Sequence, residues 1–218
     1  RLSLVGSEMC IRDSNKIIQN IIKGNGKYGI QILNDATKSA NNTIKDNTIN
    51  DNSDIAIFNH GIFTKIINNT IKYNEQDGIK IALEGARTTL SSNNLVDNEG
   101  KSIIILAKNV AVSSNTIDAD SSEIAISILN ANFSSIENNS VEGGNLGIKV
   151  QNSTSAFIYN NTIKSNSGFG IQILINSELA RVKFNQLTDN EDNAIVISSS
   201  NSTEAVSYTH LRAHETKA

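Results

Sequence analysis

Ile158–Ile173 reads IYNNTIKSNSGFGIQI, and the fold of the chain is legible from it. Ile158 is followed three residues on by Asn161 and five on by Ile163. Asn166 comes three later, and the stretch closes on Gly-Ile-x-Ile. With Ile163 as the anchor, the same arrangement recurs at Ile22, Ile49, Ile71, Leu95, Ile117, Val141 and Leu187, in steps of 22 to 27 residues. A repeat in this range marks a solenoid, whose units bury their apolar faces only by stacking.

Each slot of the repeat keeps its chemistry. Five residues before the anchor stand Ile17, Ile44, Ile66, Leu90, Val112, Ile136, Ile158 and Val182, all aliphatic. Two before it stand Asn20, Asn47, Asn69, Asn93, Asn115, Asn139, Asn161 and Asn185. Three after it come Asn25, Asn52, Asn74, Asn98, Asp120, Gly144, Asn166 and Asn190, turn-forming residues each time. Then an apolar pair with period two begins: Ile30/Ile32, Ile55/Ile57, Ile79/Ile81, Ile103/Ile105, Ile124/Ile126, Ile148/Val150, Ile171/Ile173 and Ile195/Ile197. Alternating β-branched residues give strands with one face buried. Three short apolar segments per repeat, divided by Asn and Gly, give three strands and three bends per coil.

The expected fold is therefore all-β: a parallel β-solenoid of about eight coils, three strands to a coil. Stacking at about 4.8 Å makes it a rod roughly 38 Å long. No segment carries a helical stripe. A leucine-rich repeat would need Leu at its fixed places, and a sandwich would need hairpin signals. The Asn file is expected at a tight bend, because Asn tolerates φ > 0 better than other non-glycine residues. Its amide both donates and accepts, so stacked Asn residues can bond from coil to coil. Gly29, Gly78, Gly147 and Gly170 suit another bend. The longer first step places an inserted loop at 34–41, NDATKSAN.

The two ends differ from the middle. Residues 1–14 and 205–218, paired from the outside in, can be encoded by reverse-complementary codons throughout. Met9 (ATG) pairs with His210 (CAT), Cys10 (TGT) with Thr209 (ACA) and Glu8 (GAG) with Leu211 (CTC). An inverted repeat in DNA produces this relation; folding does not. LVGSEMCIRDS and VSYTHLRAHET resemble translations of the two strands of a sequencing-library adapter. Both ends are expected to be foreign tails, leaving 15–204 as the repeat domain and an internal piece of a longer protein. The only Cys, the only Met and two of the three His fall in the tails.

The remaining domain holds 15 Lys and Arg against 19 Asp and Glu, a balance of −4. That argues against a general nucleic-acid binder. Without Cys it offers neither disulfide nor thiolate metal site. No apolar run approaches the length that spans a bilayer.

Ile-x-x-Asn-x-Ile-x-x-Asn…Gly-Ile-x-Ile, repeated over 15–204, resembles the right-handed parallel β-helix proteins of the pectate-lyase-like class, in particular the Asn-rich NosD-type repeat family. The resemblance implies an extracellular, periplasmic or cell-surface setting and often a polysaccharide ligand. It also implies where catalysis would be sought: acidic residues for Ca²⁺ and a basic residue on an outer strand face, or paired carboxylates in hydrolases. The outward slot inside each Ile-x-Ile pair reads Gln31, Ala56, Lys80, Ile104, Ala125, Lys149, Gln172 and Val196. No carboxylates are adjacent there, so no catalytic residue is assigned.

Three candidate features remain. Thr48, Thr70, Thr116, Ser140 and Thr162 occupy the slot before the anchor. They form a hydroxyl flank that would suit a glycan, or even ice; the β-propensity of Thr on a solvated strand face is the favoured account of it. Asp118 and Asp120, with Glu123 nearby, are candidate Ca²⁺ ligands, and Asp46, Asp51 and Asp54 a second set. Carboxylates at turns account for both. His60 has no partner recognisable in sequence, and Tyr28, Tyr73, Tyr159 and Phe169 read as scattered aromatics. The resulting expectation is a non-catalytic β-helix segment that binds carbohydrate. A fragment of a polysaccharide lyase, hydrolase or epimerase is the alternative, and a structural adhesin the third.

Overall fold

A computed structural model describes residues 14–33, 40–198, 203–206 and 209–211. The expected tails outside these ranges, with Met9, Cys10 and His214, lie outside the described residues, as does 34–39 of the inserted loop. The chain winds as a right-handed parallel β-helix. Its first sheet runs from Lys16–Ile18 to Glu204–Val206 and its second from Ile21–Lys23 to Thr209–Leu211, nine strands each. The third runs from Ile30–Ile32 to Ile195–Ile197 in eight. Every pairing is parallel and joins neighbouring coils. No helix among the described residues is long and apolar enough to cross a membrane.

The first and second sheets keep the register read from the sequence. Ile17 lies beside Ile44, Ile22 beside Ile49, and Leu95 between Ile71 and Ile117. Inward-facing Ile44, Ile66, Leu90, Val112, Ile136 and Ile158 have no solvent exposure, and the second sheet's Ile49, Ile71, Leu95 and Val141 match them. Past residue 204 the backbone adds Glu204–Val206 and Thr209–Leu211 to two sheets. Backbone pairing of this kind does not depend on the origin of the residues.

The third sheet corrects the sequence reading in two coils. Ile30 pairs with Ile57, and Ile103 with Ile126. The inward pairs are therefore Ile57/Asn59 and Ile126/Ile128, not Ile55/Ile57 and Ile124/Ile126. A period of two is blind to a slip of two residues, and both alternatives put Ile inward. Asn59 takes an inward place that other coils give to Ile, and it is fully buried. Its Nδ2 donates to Gly61 O (2.9 Å) and Thr88 Oγ1 (3.0 Å). Its Oδ1 accepts from Gly61 N (3.0 Å) and Thr64 Oγ1 (3.1 Å).

The Asn file is a ladder, as expected, though not for the expected backbone reason. From Asn20 to Asn185 each Nδ2 donates to Oδ1 of the Asn one coil on, at 2.9–3.0 Å, and each backbone N–H donates to the same oxygen. Nδ2 also reaches back to a carbonyl of the preceding coil, as Asn69 does to Ile44 O at 3.0 Å. The residue with positive φ is the one before the ladder: Gln19, Asp46, Asn68, Ser92, Ser114, Asn138, Asn160 and Phe184. The bend thus divides its labour. One residue turns the chain, and the next satisfies it.

A second ladder joins Asn25, Asn52, Asn74 and Asn98 at 2.7–2.8 Å, and Asn166 to Asn190 at 2.7 Å. It breaks at Asp120 and Gly144. The buried Oδ1 of Asn166 is left without a partner there. Gly29, Gly78 and Gly170 lie at bends, as expected, and Gly147 inside a strand, but none of the four has positive φ. A Cβ on Gly147 would stand 2.5 Å from Gly170 O, so these glycines permit close approach between coils.

Candidate functional site

On the outer face of the third sheet the true file is Gln31, Phe58, Lys80, Ile104, Ser127, Lys149, Gln172 and Val196. Ala56 and Ala125, expected outside, are fully buried. The two-residue slip had hidden Phe58. With Phe58 in place, His60 and Tyr28 cease to be isolated. The Tyr28 and Phe58 ring centroids are 5.4 Å apart, and those of Phe58 and His60 4.3 Å. Lys80, the cross-strand neighbour of Phe58, holds its Nζ 5.4 Å from the Phe58 centroid. His60 Nδ1 lies 3.2 Å from Glu84 Oε2.

The strand explains the arrangement. Phe58 and His60 are two residues apart and so share the outer face. Asn59 between them is tied inward by four hydrogen bonds, which fixes both neighbours. Glu84 comes from the turn one coil on. Its carboxyl is held below the usual range, first by a hydrogen bond from its own backbone N–H and then by His60. An ionised Glu84 can only accept, so this contact is a hydrogen bond when His60 Nδ1 carries a proton. Sequence reasoning found His60 and Tyr28 but not Phe58, Lys80 or Glu84 as their partners. The constant spacing of eight residues from anchor to third strand, seen in most coils, was the available signal.

The hydroxyl flank is a real file on the second sheet. Thr48, Thr70, Asn94, Thr116, Ser140 and Thr162 are consecutive cross-strand neighbours, half-buried to exposed. The carboxylates behave differently. Asp118 stands between Val96 and Glu142 in register. Its carboxyl is pushed up, chiefly by burial and then by the like charges of Asp120, Asp97 and Glu142, against a lowering hydrogen bond from Asp120 N–H. Asp120 lines an open cleft of about 450 Å³ with Glu123, Asn145, Ser165, Ser167 and Glu191. Among the described residues no three His, Cys, Asp or Glu side chains converge as metal ligands. Of the remaining aromatics, Tyr159 stacks on Phe157 at 5.4 Å and meets Phe184 at 5.3 Å, and Tyr73 sits exposed at a bend.

Several solved structures share the fold. A periplasmic alginate epimerase, AlgG, superposes with a TM-score of 0.76 at 17% identity, over 90% of this chain and 50% of that one. The A-module of the mannuronan C-5 epimerase AlgE4 of Azotobacter vinelandii gives 0.65 at 14% identity, over 92% and 58%. The enzymatically active domain of tailspike protein 2 of bacteriophage CBA120 gives 0.67 at 12%, over 91% and 38%. The chain thus spans about half the length of the alginate epimerases it matches. No curated protein sequence matches it. The family described as "Right handed beta helix region" matches residues 5–118 and 55–210. Its repeat, its three parallel sheets and its Asn ladder place this chain in the right-handed β-helix family.

Proposed function

We propose that this chain is a rigid segment of an extracellular or periplasmic protein that binds an acidic polysaccharide on the outer face of the third sheet. The observation that carries the reading is the Tyr28–Phe58–His60 ring cluster with Lys80 across it. Aromatic side chains pack on the apolar face of a sugar ring while a polar handle fixes its orientation. Lys80 supplies the cation that a uronate carboxylate needs. Support comes from the structural relatives, whose names describe alginate epimerases, one of them periplasmic, and an enzymatic tailspike domain.

Calorimetric titration with alginate oligosaccharides and a neutral glucan tests this. Phe58→Ala weakens binding to alginate about tenfold, the scale of 1–1.5 kcal/mol for an aromatic contact. Lys80→Gln weakens alginate binding and leaves any neutral-glycan binding unchanged. Absence of binding to every acidic glycan in a panel overturns the proposal.

A second reading, turnover of the bound glycan, rests on His60 and Glu84. An imidazole with Nδ1 held by a carboxylate presents Nε2 as a general base. Lyase or epimerase activity, read by unsaturated-uronate absorbance and by proton exchange at C5, is then lost in His60→Gln while binding persists. No activity in the unsubstituted chain leaves the binding reading alone.

A further inference from the structure

The third corner of each coil, leading from the third sheet back to the first, lies along one side of the rod. Among the described residues, seven of the twelve large apolar side chains that stay exposed sit on these turns. Leu33 (64%) is on the first coil, and the six beyond it are Ile62 (40%), Phe63 (38%), Leu83 (66%), Phe133 (59%), Ile175 (47%) and Leu179 (53%). Phe63, Phe133 and Leu179 hold φ of 53°, 60° and 56°, where other coils place Asn41, Asn109 and Ser155. Bulky residues enter this backbone region only at a cost. The Arg87 guanidinium covers Phe63, but Phe133 and Leu179 are more than half exposed, so packing within the chain does not explain them.

The apolar turns of the third, fifth and seventh coils alternate with polar ones, a two-coil spacing that a second copy of this chain matches. The charges set its direction. Arg87 is on the third coil's turn, its guanidinium 5.2 Å from the Phe63 ring centroid, and the Glu84 carboxylate of the same turn is engaged by His60. Glu178 is on the seventh coil's turn and Phe133 on the fifth, midway. A two-fold axis at Phe133 opposes Leu83 and Arg87 to Ile175, Glu178 and Leu179 of the other copy. It also sets the polar turns of the fourth and sixth coils against each other. A parallel pairing would set Arg87 on itself. The six apolar side chains expose on the order of 600 Å², most of the roughly 800 Å² per partner in a stable interface. We infer that the chain forms an antiparallel two-fold dimer through this ridge.

Sedimentation velocity on the full chain, over a concentration series, tests it. The expected result is a dimer that Leu83→Glu with Phe133→Glu weakens at least a hundredfold, with an unchanged circular dichroism spectrum. Ile21→Glu, on the first coil, leaves it intact. Arg87→Glu and Glu178→Arg each weaken the dimer and together restore it. In a Cys10→Ser background, Phe133→Cys forms a disulfide with its own copy under mild oxidation and Leu83→Cys does not. A monomer at every concentration overturns the inference. So does association that depends on Ile21 but not on Leu83 and Phe133, which would be end-to-end stacking. Failure of the paired charge reversal to restore the dimer also overturns it.

Discussion

At the scale of the residue, the ladder asparagines concentrate more of the stability than their size suggests. Asn161 accepts from Asn139 N and Nδ2, and donates to Asn185 Oδ1 and Ile136 O, all at 2.9 Å. Asn161→Leu leaves several of these groups buried and unpaired, each costing about 1–3 kcal/mol. Chemical denaturation should show a loss of at least 3 kcal/mol in total on that scale. Thr162→Ala, one position on and half-buried, should stay within about 0.5 kcal/mol. Asp118 provides a pH signature. Its folded-state pKa is raised by burial, so between the unfolded and folded values the native state holds the extra proton. Stability therefore falls as pH rises through that window. Asp118→Asn removes this fall and raises the melting temperature at neutral pH; an unchanged pH profile would count against it.

The element scale is that of the bend. The turn before the ladder takes a residue with positive φ, which most coils fill with Asn, Asp or Ser and the eighth with Phe184, at φ 57° and 53% exposed. Only the edge contact with Tyr159 sets this residue apart. Phe184→Asn should raise stability by about 1 kcal/mol, since Asn enters the left-handed region more easily. A loss in thermal unfolding would mean that the ring contact outweighs the backbone. The bend also shows what the sequence made legible. Eight identical Asn identified the corner, but the residue that takes positive φ varies from Gln19 to Phe184 and cannot be recognised from composition. The outer site was obscured for a related reason. Phe58 and Ala56 have the same parity, and only the neighbouring coil decides which of them lies beside Lys80.

Over the whole molecule, each coil contacts only its neighbours, so stability is close to a sum over coils and interfaces. The first coil is poorly covered: its inward Ile17 and Ile22 are only partly buried and Asn20 lies open, whereas Leu90 and Val112 have no exposure. Hydrogen exchange should be slowest through Leu90–Ile148 and fastest at Lys16–Lys23. Protection that is uniform along the rod would refute nearest-neighbour behaviour. Open strand edges at the ends also favour association, which adds to any pairing through the apolar ridge and is separable from it by the Ile21→Glu control.

The sequence alone determined the winding. A side-chain pattern in register over eight copies has one cheap physical solution, coils stacked so that like lies on like. From this followed the first two sheets, the Asn ladder and the hydroxyl file. Tertiary structure decided the register of the third sheet, to which the eight-residue spacing pointed without fixing it, and with it the meeting of Tyr28, Phe58, His60, Lys80 and Glu84. Those residues lie up to 56 positions apart, and none is periodic. Only the stacking of one coil on the next brings them within a few ångströms.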